Sequence, residues 1–503
     1  MKWWQVSRGL SMGLDISAGR FGSSHGSSSQ AVPQSRRLME QAGIPEQVIK
    51  NFERLLARVV DGERGIIEES AIKAVGPLET LEQISSEMRY KHIGQLALNH
   101  LAVIRLNGGL GTTMGLAAAK SILPVRDGKT FNDVMIDQLR HLRDSSKVTI
   151  PLIHMTSFST HGDLERVMAG ARDLQVDGIR TLFQQHKHPK VDAHTKLPMR
   201  EANEELNWNP PGHGDIYGAL LATGLAEELL ARGKRYLFVA NSDNLGATVE
   251  PAILGFMVAK NCPFLMETCV RSSADSKGGH LAIDAATGRY VLREVANAPT
   301  LLSGEPIPAF TDTQKYNQFN TNNIWLDLRA VVDQARREGG CIELPLISNR
   351  KTVNPRDPKS TPVIQIESAM GAAIRVFDGS RALQVPRGRF IPVKSNSDLF
   401  LIRSDVYRLT PDHRLELSSE RTQPTVPTVR LDKAFYGVID DFERRCSVIP
   451  SLCEADSLEV KGDVIFDRPI RIVGDVVIEG RSDRPLRIPE HINVLENTKL
   501  ELK

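Results

Sequence analysis

AVIRLNGGLGTTMG, residues 102–115, joins a short apolar run to a glycine-rich loop, and this junction decides the fold class. Other short apolar runs follow, with helical patterns between several of them; they are VTIPLI at 148–153, YLFVA at 236–240 and PFLMETCV at 263–270. Strands that alternate with helices are typical of a largely parallel sheet covered on both faces. The sequence therefore predicts an α/β fold with a mixed, mainly parallel sheet.

A helix is predicted soon after this loop. Thr130 and Asp133 have the spacing of a capping box, and the apolar residues behind them fall on one helical face; they are Phe131, Val134, Met135, Leu139 and Leu142. In open α/β sheets, ligands bind at the carboxyl ends of the strands, where loops and helix amino termini converge. The glycine-rich loop occupies such an end, so we expect the functional site there.

The overall composition limits the class of protein. The chain has 503 residues and a formal net charge of +2, which gives no general attraction to nucleic acid or anionic lipid. This length exceeds that of one hydrophobic core, so two or three packed units are expected. No run of about twenty apolar residues is present, and the five cysteines form neither a CxxC pair nor a zinc-binding spacing. We expect a cytoplasmic protein with free thiols and with neither nucleic acid nor membrane as a partner.

Four segments are predicted along the chain. Residues 1–36 form a mobile tail, because positions 19–36 are rich in Ser and Gly and poor in apolar side chains. Residues 37–95 form a helical cap, whose apolar positions recur at helical spacing: Val48, Phe52, Leu55, Leu56 and Val59. Residues 96–420 form the main α/β domain. Residues 421–503 form a small module, entered through a polar, proline-bearing connection at about 418–429.

A short internal repeat marks this carboxyl-terminal module. VKGDVIF at 460–466 is echoed by IVGDVVI at 472–478, so that Gly-Asp recurs at the same place in each copy. Alternating β-branched residues with Gly-Asp turns are typical of a β-helix, where each coil buries its apolar face against the next. We expect two or three coils, and their flat edges offer a surface through which a homo-oligomer could form.

The glycine-rich loop is suited to phosphates or to the edge of a base. Gly108, Gly109 and Gly111 allow backbone N–H groups to approach a ligand, and Lys120 adds positive charge. A P-loop is excluded because alanine and methionine stand where that motif requires glycine, and the glycine spacing excludes the dinucleotide fingerprint. Taken alone, such a loop is equally compatible with a tight turn.

Other polar residues have both a functional and an ordinary interpretation. Asp243 follows an apolar strand, where a carboxylate can hold Mg²⁺ or can cap the helix expected near Thr248. His213 is presented by a shaped Pro-Gly loop, although surface histidines are common. The polar run 320–323 suits sugar hydroxyls and also suits a turn. Lys394, on or just after a short FIPV strand, is on its own a typical solvated surface charge.

At this point the sequence resembles the eukaryotic-type UTP:glucose-1-phosphate uridylyltransferases. LNGGLGTTMG followed by Lys120-Ser121 carries the likeness, and further segments agree in order and spacing; they are PLIHMTSFST at 151–160, FQQHKHPKV at 183–191, WNPPGHGDIY at 208–217, VANSDNLGATV at 239–249, FNTNNIW at 319–325, LPLISNRKTVNP at 344–355 and PRGRFIPVKSNSDLFL at 386–401. The likeness covers residues 90 to 500. It implies a Rossmann-like nucleotidyltransferase core with a carboxyl-terminal β-helix.

The resemblance also implies a reaction and a site. UTP and glucose 1-phosphate would give UDP-glucose and pyrophosphate, with Lys120 and Lys394 as the catalytic cations and Mg²⁺ held by Asp243. The implied UTP-binding residues are Leu106, Asn107, Gly108, Gly109, Lys120, Met155, Gln185, Gly212, Asn241, Ser242, Asp243 and Lys394. The implied sugar-phosphate residues are His213, Gly279, Glu294, Asn320, Thr321 and Asn322. An amide such as Gln185 presents both a donor and an acceptor to one edge of uracil, and Gln184 is the alternative for this role.

The chain departs from the family pattern directly after the loop. The family version Met-Gly-Cys-Lys-Gly-Pro-Lys-Ser reads Met-Gly-Leu-Ala-Ala-Ala-Lys-Ser here, at residues 114–121, so one basic residue and one proline are missing. The alanines favour extension of a helix, which leaves the reach of Lys120 open.

Two other functions stay open at this stage. One is a related pyrophosphorylase for another UDP-sugar or a UDP-N-acetylhexosamine, and Gly-His-Gly-Asp at 212–215 with the NTNN run favours the glucose enzyme over it. The other is a non-catalytic scaffold that binds UDP-sugars. The joint presence of Lys120, His213, Asp243 and Lys394 argues against the scaffold, because binding alone would not need the full set of charges.

Overall fold

The computed structural model describes residues 25–503 apart from positions 273, 274, 277, 356, 422 and 483. The helices are α1 (His25–Gln41), α2 (Glu46–Val60), α3 (Leu81–Ser86), α4 (Met88–Ala97), α5 (Phe131–Ser146), α6 (His161–Gly170), α7 (Ile216–Ala222), α8 (Leu225–Ala231), α9 (Pro251–Ala259), α10 (Pro308–Thr311), α11 (Leu328–Arg337), α12 (Asn396–Arg403), α13 (Lys433–Tyr436) and α14 (Ile439–Arg445). Over the described residues, none of these helices has both the length and the apolar character required to cross a bilayer.

The strands of the first part are β1 (Ile72–Ala74), β2 (Leu101–Asn107), β3 (Pro124–Arg126), β4 (Lys129–Thr130), β5 (Leu152–Thr156), β6 (Leu182–Gln184), β7 (His188–Pro189), β8 (Val191–Asp192), β9 (Trp208–Asn209), β10 (Tyr236–Asn241), β11 (Phe264–Val270), β12 (His280–Asp284) and β13 (Tyr290–Arg293). The later strands are β14 (Gln318–Asp327), β15 (Ile347–Thr352), β16 (Pro362–Glu367), β17 (Arg381–Gln384), β18 (Tyr407–Leu409), β19 (Leu415–Leu417), β20 (Thr428–Leu431), β21 (Ser451–Lys461), β22 (Val464–Ile465), β23 (Arg471–Gly480), β24 (Leu486–Arg487) and β25 (Val494–Leu502).

Ten strands form the central sheet, in the order β1-β12-β14-β10-β2-β5-β6 with β11, β13 and β17 attached beside this path. β10, β2, β5 and β6 pair in parallel, as predicted. β14 instead runs antiparallel to β10 and β11, and β12 is antiparallel to each of its neighbours. The prediction of a mainly parallel sheet is therefore wrong, and the sheet is mixed. The polar run 320–323 concealed β14, because strands are normally marked by β-branched and aromatic residues.

The elements predicted around the glycine-rich loop are confirmed. β2, β10 and β11 cover the expected apolar runs, and every residue of β2 is buried. α5 begins behind the capping box of Thr130 and Asp133. The run at 148–153 enters its strand later than predicted, at Leu152. The reason is that α5 ends in a left-handed residue, Lys147 with φ 57°, and the next residues cross from the helix to the sheet.

The amino-terminal helices pack as a pair, and the mobile tail predicted for residues 1–36 is wrong from His25 onward. α1 buries residues of one face at four-residue spacing: Ala31, Ser35 and Met39. Arg36 also forms ion pairs of 2.6 to 3.1 Å with three glutamates: Glu40, Glu46 and Glu53. A few aligned contacts are thus enough to dock a segment of low apolar content. The rest of the predicted tail, residues 1–24, lies outside the described residues.

The carboxyl-terminal region forms a parallel four-stranded sheet, β20-β21-β23-β25, beside a parallel pair, β22-β24. The twelve-residue repeat does not set its period. Leu458 of β21 pairs with Val476 of β23, eighteen positions later. Gly462 lies in the turn after β21, whereas Gly474 lies inside β23, so the two Gly-Asp copies occupy different places.

This region shares one apolar cluster with the glycine-rich part of the chain. Met114, Leu123 and Phe131 pack in the same cluster as the buried residues of β21 and β23. A Cβ at Gly115 would meet the side chain of Val438, which lies just before α14. The carboxyl-terminal strands therefore support the loop directly.

Candidate active site

Two parallel neighbours, β2 and β10, bring two loops together at one edge of the sheet. Asn107 ends β2 and Asn241 ends β10, and the two strands are in register up to Leu106 opposite Asn241. Just beyond them, the N–H of Ser242 donates to the Leu106 carbonyl at 3.2 Å. The glycine-rich loop and residues 241–249 therefore lie side by side, at the end of the sheet that the sequence predicts.

The glycine-rich loop folds back on itself. Leu110 forms a bridge with Ala119, and Gly115 takes a left-handed φ of 73° after a 3-10 turn at Thr112–Met114. A second 3-10 turn begins at Lys120, after the alanines. The three alanines at 117–119 therefore do not extend a helix. Their backbone returns to the sheet edge, and this return places Lys120 at the site.

Asp163 holds the end of this loop and was not predicted. Its Oδ2 accepts from the Ala119 N–H at 2.8 Å, and Thr160 Oγ1 donates to the Asn107 carbonyl at 2.6 Å. Both residues belong to the beginning of α6. In the sequence, a carboxylate in the first turn of a helix indicates only that it stabilises the amino terminus of that helix. The contact of Asp163 with the glycine-rich loop was therefore not predicted.

Asp243 lies between two lysines from distant parts of the chain. Lys120 Nζ is 2.9 Å and Lys394 Nζ is 3.4 Å from Asp243 Oδ2. Burial opposes ionisation of this carboxyl, but the two ammonium groups outweigh burial and lower the pKa of Asp243. The three side chains together carry one net positive charge, which suits an anionic ligand.

The same carboxylate is suited to Mg²⁺. Both lysines contact Oδ2, and Oδ1 has no hydrogen-bond partner among the described residues. Within the described ranges, no cluster of three or more His, Cys, Asp or Glu side chains is arranged to hold a metal ion. A single carboxylate from the protein is nevertheless sufficient to bind Mg²⁺, because this ion commonly completes its coordination with substrate phosphates and water.

Lys394 is positioned by backbone contacts instead of a strand. Residues 390–393 form only an isolated bridge, so the predicted FIPV strand is wrong. A strand is disfavoured there because the proline in this run has no N–H to donate. The Val393 N–H donates to the Asp243 carbonyl at 3.2 Å, and Lys120 Nζ donates to the Val393 carbonyl. The Lys394 side chain is 60% exposed, so its ammonium is accessible to a ligand.

A buried ion pair fixes the segment that leads to Lys394, and it was not predicted. Arg389 donates to both oxygens of Glu267 at 2.6 and 2.7 Å, and both residues are buried. The same carboxylate accepts from Trp325 Nε1 at 2.8 Å and from Asn323 Nδ2 at 3.0 Å. β11 and β14 thereby hold residues 389–394. A lone glutamate inside the apolar run at 263–270 is the signal that could have revealed this pair.

Gln185 packs against the glycine-rich loop. A Cβ at Gly108 would overlap the Gln185 side-chain amide, whereas a Cβ at Gly109 would meet no atom within 4 Å. Gln185 is buried and Gln184 is exposed, which favours Gln185 as the residue that meets a ligand beside the loop. Met155 of β5 is buried opposite Leu106 at the same sheet edge.

Asp215 ties the loop at 210–215 to the Gln185 segment, and its partner His186 was not predicted. The His186 N–H donates to Asp215 Oδ2 at 2.6 Å, and His186 Nδ1 is 3.0 Å from the same carboxylate. His186 follows Gln185 directly, so this contact fixes the backbone that presents the Gln185 amide. An Asp beside Gly-His-Gly could have suggested the pair, but its histidine partner is 29 positions away.

His213 is held in one tautomer by the chain around Met370. The Met370 N–H donates to His213 Nδ1 at 2.9 Å, which leaves the ring hydrogen on Nε2. Burial, together with the nearby Lys394 ammonium, lowers the pKa of His213 to about 4. Gly212 has φ 81°, and a Cβ there would overlap the Ser368 carbonyl, so this position requires glycine.

Gly279, Glu294 and Asn320 come together on the neighbouring strands. A Cβ at Gly279 would lie 2.5 Å from Glu294 Oε2, and the Asn320 N–H donates to the Gly279 carbonyl at 3.2 Å. Asn320 Nδ2 donates to Asn322 Oδ1 at 2.9 Å. A Cβ at Gly371 would lie 3.0 Å from Asn320 Nδ2, so this group adjoins the Met370 segment that holds His213.

Thr321 does not join this group. It is fully buried, and its hydroxyl donates to the Glu267 carbonyl at 2.7 Å. Successive residues of a strand point to opposite faces, so Asn320 and Thr321 cannot both line the same pocket. The structure therefore does not bring the Thr321 side chain to the predicted sugar-phosphate group.

Glu294 gives a testable pH dependence. Burial raises the pKa of this carboxyl to about 7. Between about pH 4.5 and about pH 7 the folded chain binds a proton that the unfolded chain does not, so the free energy of unfolding falls as pH rises through this window. We expect Glu294→Gln to remove that loss. Urea unfolding at about pH 5 and about pH 8 measures it; an equal loss in both proteins would contradict the assignment.

Comparison with known proteins agrees with this geometry. The family model described as UTP–glucose-1-phosphate uridylyltransferase matches residues 49–472. A UTP–glucose-1-phosphate uridylyltransferase of Astragalus penduliflorus is 37% identical over 89% of this chain and 92% of its own length. The crystal structure of a UDP-glucose phosphorylase of Trypanosoma brucei has a TM-score of 0.85 and 39% identity, over 94% of this chain and 100% of that chain. A point mutant of the Leishmania major UDP-glucose pyrophosphorylase, solved with UDP-glucose, has a TM-score of 0.85 and 37% identity, over 94% and 99% of the two chains. The chain belongs to the UTP–glucose-1-phosphate uridylyltransferase family.

Proposed function

We propose that this chain is a nucleotidyltransferase that joins UTP to glucose 1-phosphate, with UDP-glucose and pyrophosphate as products. The observation that carries the proposal is the cluster of Lys120, Asp243 and Lys394 at the ends of β2 and β10. Two cations with one carboxylate match a reaction between two anionic phosphates. Membership of the uridylyltransferase family supplies the substrates.

The transfer is a direct displacement. A phosphate oxygen of glucose 1-phosphate attacks the α-phosphorus of UTP and forms a new P–O bond, while the bond from the α-phosphorus to the bridging oxygen breaks and pyrophosphate leaves with its electron pair. No side chain needs to form a covalent bond. The contribution of the chain is to hold the two reactants together and to offset their charges, a role we assign to Lys120 and Lys394.

We assign Asp243 as the protein ligand of Mg²⁺. Its Oδ1 has no hydrogen-bond partner among the residues described, and a hard oxygen donor is what Mg²⁺ prefers. When bound, the ion would neutralise charge on the phosphates. Lys120 and Lys394, both within 3.4 Å of Oδ2, orient the carboxylate for this role.

UTP is assigned to the side of the site formed by the glycine-rich loop. Gln185 would read one edge of uracil against Gly108, while the backbone of Leu106, Asn107 and Gly109 would line the nucleotide. The remaining residues assigned to this side are Met155, Gly212, Asn241 and Ser242. Support comes from the close approach of Gly108 to the Gln185 amide.

A pair of glycine variants tests this assignment. In Gly108→Ala the new Cβ displaces the Gln185 amide, and we expect KM for UTP to rise roughly tenfold or more, since an overpacked contact typically costs 1–3 kcal/mol. Gly76→Ala is the matched control, because its Cβ also meets open space and Gly76 is not among the residues assigned to the site. Initial rates over a range of UTP concentrations measure both variants. Equal KM values for the two would remove Gln185 from the uracil site.

The sugar phosphate is assigned to His213 and to the group of Gly279, Glu294, Asn320 and Asn322. A neutral His213 with its hydrogen on Nε2 is a donor for a phosphate or hydroxyl oxygen. The Asn320 and Asn322 amides and the Glu294 carboxyl offer both donors and acceptors for sugar hydroxyls. Gly279 leaves room for the ring beside Glu294.

Pyrophosphate release from the purified chain tests the proposed function. The assay contains UTP and Mg²⁺ and compares glucose 1-phosphate with galactose 1-phosphate and N-acetylglucosamine 1-phosphate. We expect strong release with glucose 1-phosphate. Faster release with another sugar phosphate would keep the mechanism and change the substrate. No release with any of the three, from a folded chain that still binds UTP, would favour a sugar-nucleotide-binding scaffold.

We also propose that residues 421–503 form a β-helix and that the enzyme is cytoplasmic. Parallel pairing of β21 with β23 and of β23 with β25, with β22 and β24 as a second parallel face, supports coils of this kind.

The five cysteines are free, which suits a reducing compartment. The module would follow a catalytic domain at 96–420 and a helical cap, and light scattering at several concentrations tests whether it joins copies into an oligomer.

A further inference from the structure

A cavity of about 140 Å³ lies between α5 and β2, apart from the Lys120–Asp243 cluster. α5 contributes Gln138, His141 and Ser145 to its wall, and β2 contributes Arg105. Thr248, Asp412 and Arg414 complete the polar part of the lining. The proposed reaction uses none of these side chains.

Arg105 is a buried charge without a counter-ion. Its relative exposure is 4%, and its guanidinium donates to the Ala247 carbonyl, while Nε and Nη1 have no hydrogen-bond partner among the described residues. Glu267, whose charge acts on Arg105, is already bound at both oxygens by Arg389. Burial and the neighbouring Arg389 lower the pKa of Arg105 to about 10, so it stays charged near neutral pH. Buried charges are ordinarily paired, because an unpaired one is costly.

The charges at the cavity wall leave a positive excess. Two guanidinium groups, Arg105 and Arg414, face one carboxylate, Asp412, which lies 3.0 Å from Arg414 Nε. Glu250 is 4.0 Å from Arg414 and does not line the cavity. Gln138, Ser145 and Thr248 offer neutral donors. A ligand with one negative charge would neutralise the net positive charge of these side chains.

The rest of the wall is apolar, and the space is that of a small ring. Its apolar residues are Val103, Met135, Leu139, Leu142, Leu152 and Val249. An engineered apolar cavity of about 150 Å³ is large enough to bind benzene. This cavity therefore has room for a compact apolar body beside its charged end.

We propose that this cavity is a second ligand site, which binds a small organic anion with a carboxylate or phosphate head at Arg105 and a compact apolar body against α5. The head places a negative charge beside the Arg105 guanidinium, which lines the cavity. Charge-assisted hydrogen bonds of this kind contribute about 1.5–3 kcal/mol, so the anion should bind roughly 10- to 100-fold more tightly than a neutral molecule of the same shape.

The test uses benzoate and phenyl phosphate as anionic probes and benzamide as the neutral molecule of matched shape. Calorimetric titration of the full chain is carried out with and without saturating UDP-glucose, so that a probe bound at Asp243 is recognised by competition and a probe bound in the cavity is not affected. We expect at least tenfold tighter binding of one anion than of benzamide. The stronger of the two anions identifies the head group.

Two variants locate the binding. Arg105→Met should remove the preference for the anion over benzamide, and Arg414→Gln should weaken it at the cavity mouth, where this side chain is 40% exposed. Arg408→Ala is the control, since Arg408 is exposed and does not line the cavity. Equal binding of benzoate and benzamide, no binding of any probe, or competition with UDP-glucose would each overturn the proposal.

Discussion

Lys394→Ala should lower kcat roughly 10²- to 10³-fold, which is the usual cost of removing one group that stabilises charge in a transition state. Lys394 Nζ lies 3.4 Å from the Asp243 carboxylate, and its side chain is 60% exposed. It therefore meets the phosphates without being part of the core. Initial rates of pyrophosphate release, with UTP and glucose 1-phosphate varied in turn, measure kcat and KM separately.

The fold should be almost unaffected by this change. The ion pair of Lys394 with Asp243 is exposed on the lysine side, and such pairs contribute little to stability. Lys359→Ala is the matched control, since Lys359 is an exposed lysine outside the site. Equal rates for the two variants would remove Lys394 from the mechanism, whereas a thermal midpoint lowered only in Lys394→Ala would assign it a structural role.

Glu267→Gln should destabilise the chain by about 3–5 kcal/mol, the usual effect of removing one partner from a buried ion pair. Glu267 is fully buried and binds Arg389 through both oxygens, and Arg105 lies close to the same carboxylate. The variant leaves the buried Arg389 guanidinium without its carboxylate. The urea midpoint measures the effect, and we also expect kcat to fall, because residues 389–394 lose their attachment to β11.

Glu294→Gln is the matched control for this prediction. Glu294 is also a shielded glutamate, but burial dominates its environment and raises the pKa to about 7. Its neutral analogue should therefore keep or gain stability above about pH 7, whereas Glu267→Gln loses it at every pH. A comparable loss in both variants would mean that amide substitution itself, and not the missing charge partner, is responsible.

Local patterns were sufficient to predict the parallel half of the sheet. The runs that became β2, β10 and β11 are apolar, those of β2 and β10 end in Asn, and the capping box before α5 is contained in four residues. β14 was missed because Asn320 to Asn323 are polar. Asn320 pairs with Thr268 of β11, and the register shifts over Thr321 to Asn323, where Thr321 and Asn323 find buried partners on Glu267.

Candidate site residues were predicted from the sequence only where the family resemblance marked them. Gln185, His213, Asp243 and Lys394 belong to segments of the family pattern. The residues that hold these segments in place were missed; they are Asp163, His186, Glu267 and Arg389. Each of their contacts joins residues that are far apart in sequence, and each residue type is ordinary where it stands. Thr321 was included with Asn320 and Asn322 through the family resemblance, and the sequence did not show that its hydroxyl is bonded inside the sheet.

The sequence by itself determined the class of fold, the glycine-rich loop, the family and the end of the sheet where the site lies, since these depend on periodicity and on short motifs. The tertiary structure decided that the alanines at 117–119 return to the sheet and do not extend a helix, so that Lys120 meets Asp243. It also decided that Arg105 is buried without a counter-ion. Both outcomes depend on which distant atoms surround a residue, and only the folded chain specifies them.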